Sequence, residues 1–209
     1  MMRTGRIIFS ALFLLISLNA GAQINIFLGG NLQGNYSWIR GDESTFKPGF
    51  GGGFSFVYWE YEYCFIKAGL DYVNKSSSSL YYPEDYGVSI DELSDKTRIT
   101  FIEQNVGIPL TVYFRPFEQG DNTLLITGTL EMMFVVHLKE NSAEYGELVL
   151  TGNDVGNRTK TCLGLGVGYQ RQLAQHTYLN IVPSFNLDLR SARPFNTINL
   201  TAELIFGVY

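Results

Sequence analysis

Residues 23–38 read QINIFLGGNLQGNYSW, and the period of that run is two. Its even positions are Ile24, Ile26, Leu28, Gly30, Leu32, Gly34, Tyr36 and Trp38. Its odd positions are Gln23, Asn25, Phe27, Gly29, Asn31, Gln33, Asn35 and Ser37. One face is greasy and the other rich in amides, for far longer than the 5–6 residues of a common globular strand. A helix would repeat near 3.6 residues, and no such period follows.

The same alternation returns seven more times. Strand two sets Phe50, Phe54, Phe56 and Tyr58 against Gly49, Gly51, Gly53 and Ser55. Strand three sets Ile66, Ala68, Leu70 and Tyr72 against Lys67, Gly69 and Asp71. Strand four opposes Ile102, Val106, Ile108, Leu110, Val112 and Phe114 to Glu103, Asn105, Gly107 and Thr111. Strand five opposes Leu124, Ile126, Leu130, Met132, Phe134 and Val136 to Thr127, Thr129, Glu131 and His137. Strands six (Leu163 to Tyr169), seven (Leu179 to Leu189) and eight (Ile198 to Val208) repeat the pattern, their polar faces carrying Lys160, Asp188 and Glu203. Tilted strands of about 9–11 residues suffice to cross a bilayer. The intervening connectors alternate between short (59–61, 115–122, 172–175) and long (76–95, 140–156), except for a short last one at 191–194. Short turns on one rim and long loops on the other mark an outer-membrane barrel. The fold class is therefore all-β, an eight-stranded antiparallel transmembrane β-barrel with up-and-down topology and both termini on the short-turn, periplasmic side.

Upstream of the barrel, residues 1–22 read as a cleaved signal peptide. Arg3 and Arg6 form its basic start, Ile7 to Leu18 its apolar run, and Ala20-Gly21-Ala22 its small-residue cleavage site. The run is too short for a spanning helix. Residues 23–209 form one barrel domain, exported to the cell outer membrane with the lipid bilayer as its main partner. A formal net charge of −5 argues against nucleic acid as a partner. Cys64 and Cys162 fall on opposite faces of the sheet, which favours two free thiols over a disulfide. His137, expected to point inward, and His176, at a periplasmic turn, are too few for a multi-histidine metal site. No nucleophile motif accompanies them, so neither an enzyme, a cofactor nor a catalytic residue is expected.

Glycines on the polar face (Gly164, Gly166, Gly168 and Gly49 to Gly53) lie inside strands, which excludes a phosphate loop. They make room in a lumen only wide enough for side chains. Pro109 and Pro183 each remove a ladder hydrogen bond, which predicts local bulges. Tyr36, Trp38 and Tyr72 mark one aromatic girdle, and Tyr58, Phe114 and Tyr169 the other. A soluble lipocalin-like barrel also alternates, but its water-facing surface would carry many more charges.

Two groups of charges stand out. Lys67, Glu131 and Glu203 fall at mid-height on the inward face, where an isolated charge is costly. The expectation is an ion pair of Lys67 with Glu131 or Glu203, close to Tyr113, that blocks a continuous water channel. The second group is acidic and lies in the outer loops: Glu84, Asp85, Asp91, Glu92 and Asp95, then Glu140, Glu144, Glu147 and Asp154. Carboxylate oxygens suit hard cations, so divalent cations are candidate partners there. Three roles follow in order: a structural or accessory scaffold, a narrow pore or small-solute-binding barrel, and, last, an enzyme.

Several short segments are familiar. Gly30-Asn31-Leu32, Lys47-Pro48-Gly49-Phe50-Gly51-Gly52-Gly53, Lys67-Ala68-Gly69-Leu70-Asp71-Tyr72, Ile108-Pro109-Leu110 and Tyr113-Phe114 resemble the PorT-like outer-membrane β-barrel family of Bacteroidota. The resemblance spans about the first half of the chain after residue 22. It implies the same barrel fold and, for some members, contact with envelope or secretion proteins.

Overall fold

The computed structural model describes residues 26–40, 44–81, 97–142, 146–148, 159–189 and 194–207. The strands are β1 (Ile26–Ile39), β2 (Thr45–Tyr61), β3 (Cys64–Tyr81), β4 (Thr97–Gln119), β5 (Asn122–Ser142), β6 (Gly146–Leu148), β7 (Thr159–Ala174), β8 (Thr177–Asp188) and β9 (Phe195–Gly207). Every neighbouring pair is antiparallel. The order β4-β3-β2-β1-β9-β8-β7-β5 closes through the β4–β5 pairing. Eight long strands thus form the closed wall. β6 is a three-residue addition paired to the outer end of β5. The signal-peptide reading of residues 1–22 lies outside the described residues.

Strands β3, β4 and β5 run further than periodicity placed them, because their ends lose the apolar–polar contrast that marks a membrane-facing wall. Residues 76–81, expected in a long loop, are the end of β3. The expected connectors 115–122 and 172–175 shrink to two-residue loops at 120–121 and 175–176. Gly120 (φ 59°) and His176 (φ 60°) take the left-handed backbone in these loops.

Following the register once round the wall gives the strand tilt. Phe27 lies opposite Val57, then Lys67, Thr111, Thr129, Gly164, Asn186, Thr197 and finally Ser37. The circuit returns to β1 ten residues above its start, from 27 to 37. A stagger of that size in eight strands requires a tilt of about 40–45°. The prolines disturb this less than predicted. Pro109 stays opposite Glu131 and Pro183 opposite Leu200, with no register shift at either. A proline removes one N–H toward one neighbour, and the flanking pairs hold the count. The bulges fall elsewhere, notably in β2 between Phe46 and Phe50 and in β5, where Asn105 faces Val135 but Gln104 faces His137. Val136 is therefore an extra residue that reverses the facing of everything after it.

All eight wall strands present bare apolar side chains outward: Leu32, Phe54, Leu70, Leu110, Leu130, Leu165, Ile181 and Leu200. Leu32 is 75% exposed and Leu165 67%. An apolar belt around the whole circumference far exceeds the few hundred Å² that soluble proteins tolerate. The lipocalin-like alternative, which turns this face inward, is excluded. The belt is the lipid-facing surface of a transmembrane barrel. Toward the long-loop end Trp38 packs on Phe46 (4.6 Å) and Phe185 (5.8 Å), and Phe50 lies 6.4 Å from Tyr72.

Candidate functional site

The lumen is filled in layers. At the short-turn end Phe27, Val57, Trp59, Phe65, Leu125, Val182 and Ile205 form an apolar plug. Trp59 stacks on Phe65 (4.8 Å), Phe65 stacks on Tyr113 (4.4 Å), and the Arg115 guanidinium covers Trp59 at 4.6 Å. At the other end Ile39, Ile99, Phe101 and Phe195 form a second apolar cap. These residues occupy inward positions, most of them toward the strand ends. Apart from Phe27, which falls on the amide-rich face of the first strand, a polar-face reading passed over them because the middle of each strand sets the pattern.

Above the plug lies an ion-paired layer. Lys67 Nζ is 3.0 Å from Glu203 Oε1, and both side chains are buried. Glu203 also accepts hydrogen bonds from Ser55 Oγ (3.2 Å), Tyr113 OH (3.1 Å) and Asn180 Nδ2 (3.1 Å). Gln170 Nε2 in turn donates to Asn180 Oδ1 at 2.9 Å. Gly29 makes this convergence possible, since a Cβ there would lie 2.5 Å from Ser55 Oγ and 3.4 Å from Glu203 Oε1. A buried carboxylate with one cation and three neutral donors is fully compensated.

Nearer the long-loop end is a second ionic layer centred on Asp188. Lys75 Nζ (3.4 Å) and Lys160 Nζ (3.6 Å) flank its carboxylate, and Lys160 also pairs with Glu103. The Phe195 backbone N–H (3.0 Å) and the Cys162 thiol donate to Asp188 as well. The sequence reading placed Lys160, Glu103 and Asp188 on inward faces but did not connect them, and it did not single out Lys75. Cys64 sits on the outer face, Cys162 is buried inside, and both are free thiols.

Between the two ionic layers is a polar chamber with a cavity of about 60 Å³. Asp71 and Glu131 supply its carboxylates, Thr111, Thr129, Ser184 and Asn199 neutral oxygens, and Lys67 and Tyr113 its floor. Asp71 accepts a hydrogen bond from Asn31 Nδ2 at 3.0 Å. Glu131 Oε1 is buried and has no hydrogen-bond partner.

Of the three inward charges read from the sequence, the structure joins Lys67 to Glu203 and leaves Glu131 in the chamber above them. Among the outer-loop acids, Glu84, Asp85, Asp91, Glu92, Asp95, Glu144 and Asp154 lie outside the described residues. Glu147 falls on β6. Glu140 is a correction: it belongs to β5, not to a loop, and is buried at 1% exposure. His137 is a second correction, since it faces outward and is exposed. The Val136 bulge explains both, because a single extra residue exchanges the faces of a strand.

No protein-family model matches the chain, and neither does any curated protein. Among solved structures, Neisserial surface protein A (NspA) aligns over 88% of this chain and 97% of its own, with 12% identity and a TM-score of 0.55. Ail, the attachment invasion locus protein of Yersinia pestis, aligns over 86% and 98%, with 15% identity and a TM-score of 0.41. The N-terminal β-barrel domain of Pseudomonas aeruginosa OprF aligns over 85% and 97%, with 8% identity and a TM-score of 0.34. The likeness to NspA is one of fold: a closed eight-stranded barrel of the outer-membrane kind.

Proposed function

We propose that this protein is an integral outer-membrane barrel with a structural or accessory role, presenting its loops to other envelope components rather than conducting solutes. The observation that carries this reading is a lumen filled by side chains. Two apolar caps and two buried ion-paired layers lie in series along its axis. Each charge of these two layers is held by its partner instead of by a hydrated path. No catalytic role is part of this proposal. Electrophoretic mobility before and after boiling, together with planar-bilayer recording, tests it. The folded protein should shift its mobility and show no unitary conductance, and a steady wild-type conductance would overturn the scaffold assignment.

Within that reading we place the chain beside the PorT-like barrels, on the segments at 30–32, 47–53, 67–72, 108–110 and 113–114. Its expected partners are envelope or secretion proteins. Cross-linking in intact cells should join the barrel to such a protein, whereas a barrel recovered alone would count against the accessory role. The central cavity supports a second reading as a small-solute-binding barrel, though at about 60 Å³ it admits only waters or an ion.

A further inference from the structure

The charges of the lumen balance in the two ionic layers and not between them. Lys67, Lys75 and Lys160 are matched by Glu203, Asp188 and Glu103 in direct ion pairs. Between these layers lie Asp71 and Glu131, and neither makes a salt bridge among the described residues. Glu131 is 5% exposed, lines the cavity, and its Oε1 lacks a hydrogen bond. Its opposite neighbour across the β4–β5 ladder is Pro109, which has no N–H to offer. Asp71 has one donor, Asn31 Nδ2, and Asn31 Oδ1 is itself buried without a partner.

Glu131 also leans toward the strand that carries Asp71, while the Asp71 carboxylate lies over Gly53 beside Asn31. Asp71 lies directly opposite Gly107 on β4. The Glu131 carboxylate lies over that same glycine, where a Cβ would collide with its Oε1. The missing side chain at 107 lets Glu131, two strands from Asp71, reach across β4 toward it. The groups left unsatisfied at this level, Glu131 Oε1 and Asn31 Oδ1, are oxygens that accept and do not donate. Their complement is positive and oxygen-seeking.

We propose that the chamber between the ionic layers is a binding site for one hard divalent cation of the calcium type. Glu131 and Asp71 are its charged ligands, and neutral oxygens that line the cavity, such as Asn199 Oδ1 and Thr129 Oγ1, complete the shell with water. A charge of +2 offsets the two uncompensated carboxylates. Calcium accepts an irregular set of six to eight oxygens that mixes carboxylates, amides and water, which suits a site with only two acids. A cavity of about 60 Å³ accommodates one such ion with a few waters. The ion would sit between the two apolar caps, so it should exchange slowly once the barrel has closed.

The test uses the full barrel, residues 23–209, refolded in zwitterionic micelles with or without calcium chloride, then desalted into metal-free buffer. Atomic emission should find one calcium per folded barrel, and none in the Glu131→Gln variant. The urea midpoint of the wild type should be higher after refolding in calcium chloride than in choline chloride of equal ionic strength, while Glu131→Gln shows no difference. Asp71→Asn serves in the same way should Glu131→Gln fail to fold. Wild-type barrels that retain no calcium would overturn the proposal. So would equal calcium responses in wild type and variant, which would assign the metal to the acidic loops. Neither outcome touches the scaffold reading, which rests on conductance.

Discussion

Replacing Lys67 by methionine keeps most of the side-chain volume and removes the cation paired with Glu203. At 3.0 Å and an effective dielectric of about 20, the direct attraction is about 5–6 kcal/mol. Breaking a buried pair by removing one partner generally costs about 3–5 kcal/mol, because the other charge stays behind. Here Glu203 keeps three neutral donors, Ser55, Tyr113 and Asn180, so the expected loss lies near the lower figure, about 3 kcal/mol. The double variant Lys67→Met with Glu203→Gln removes the stranded charge and leaves an amide that still accepts from its neighbours. It should recover about half or more of the loss, since neutral replacements of buried pairs are well tolerated. Urea unfolding in micelles reads these differences, with Trp59 as the reporter because it stands in the apolar plug below the pair. A single variant as stable as wild type, or a double variant no better than the single, would refute the account of Glu203 as a carboxylate that depends on this lysine.

Further expectations concern the wall and its packing. Leu130→Arg, in the exposed row of Leu110, Leu130 and Leu163, should cost about 2–4 kcal/mol of folding stability in lipid, whereas Thr129→Arg enters the lumen and should perturb the chamber instead. Gly53→Ala would press its Cβ against the Asp71 carboxylate and the Leu70 carbonyl and should lose about 1–3 kcal/mol, while Gly34→Ala meets nothing within 4 Å and should be neutral or slightly stabilising in the same urea assay. Maleimide should modify Cys64 but not Cys162 in the folded barrel, and both in urea; early labelling of Cys162 would contradict its burial beside Asp188.

The strict two-residue period of 23–38 and its seven repeats was enough to read which face of each strand meets lipid. The pleat alone sorts side chains, and a bilayer demands an uninterrupted apolar belt. Eight such segments also imply closure, because an open edge has no partner in hydrocarbon. What periodicity does not contain is the offset between strands. The ten-residue stagger, reached by following Phe27 round to Ser37, determines which inward residues share a level, and so joins Lys67 to Glu203 while leaving Glu131 one layer above. The single extra residue at Val136 turned Glu140 inward and His137 outward. A bulge is a property of two strands compared, and one strand's alternation does not announce it. The chamber is likewise a tertiary product. Gly107, Pro109, Asp71 and Glu131 come from three strands, and only the closed, tilted wall brings an unpaired carboxylate over the glycine that faces the other.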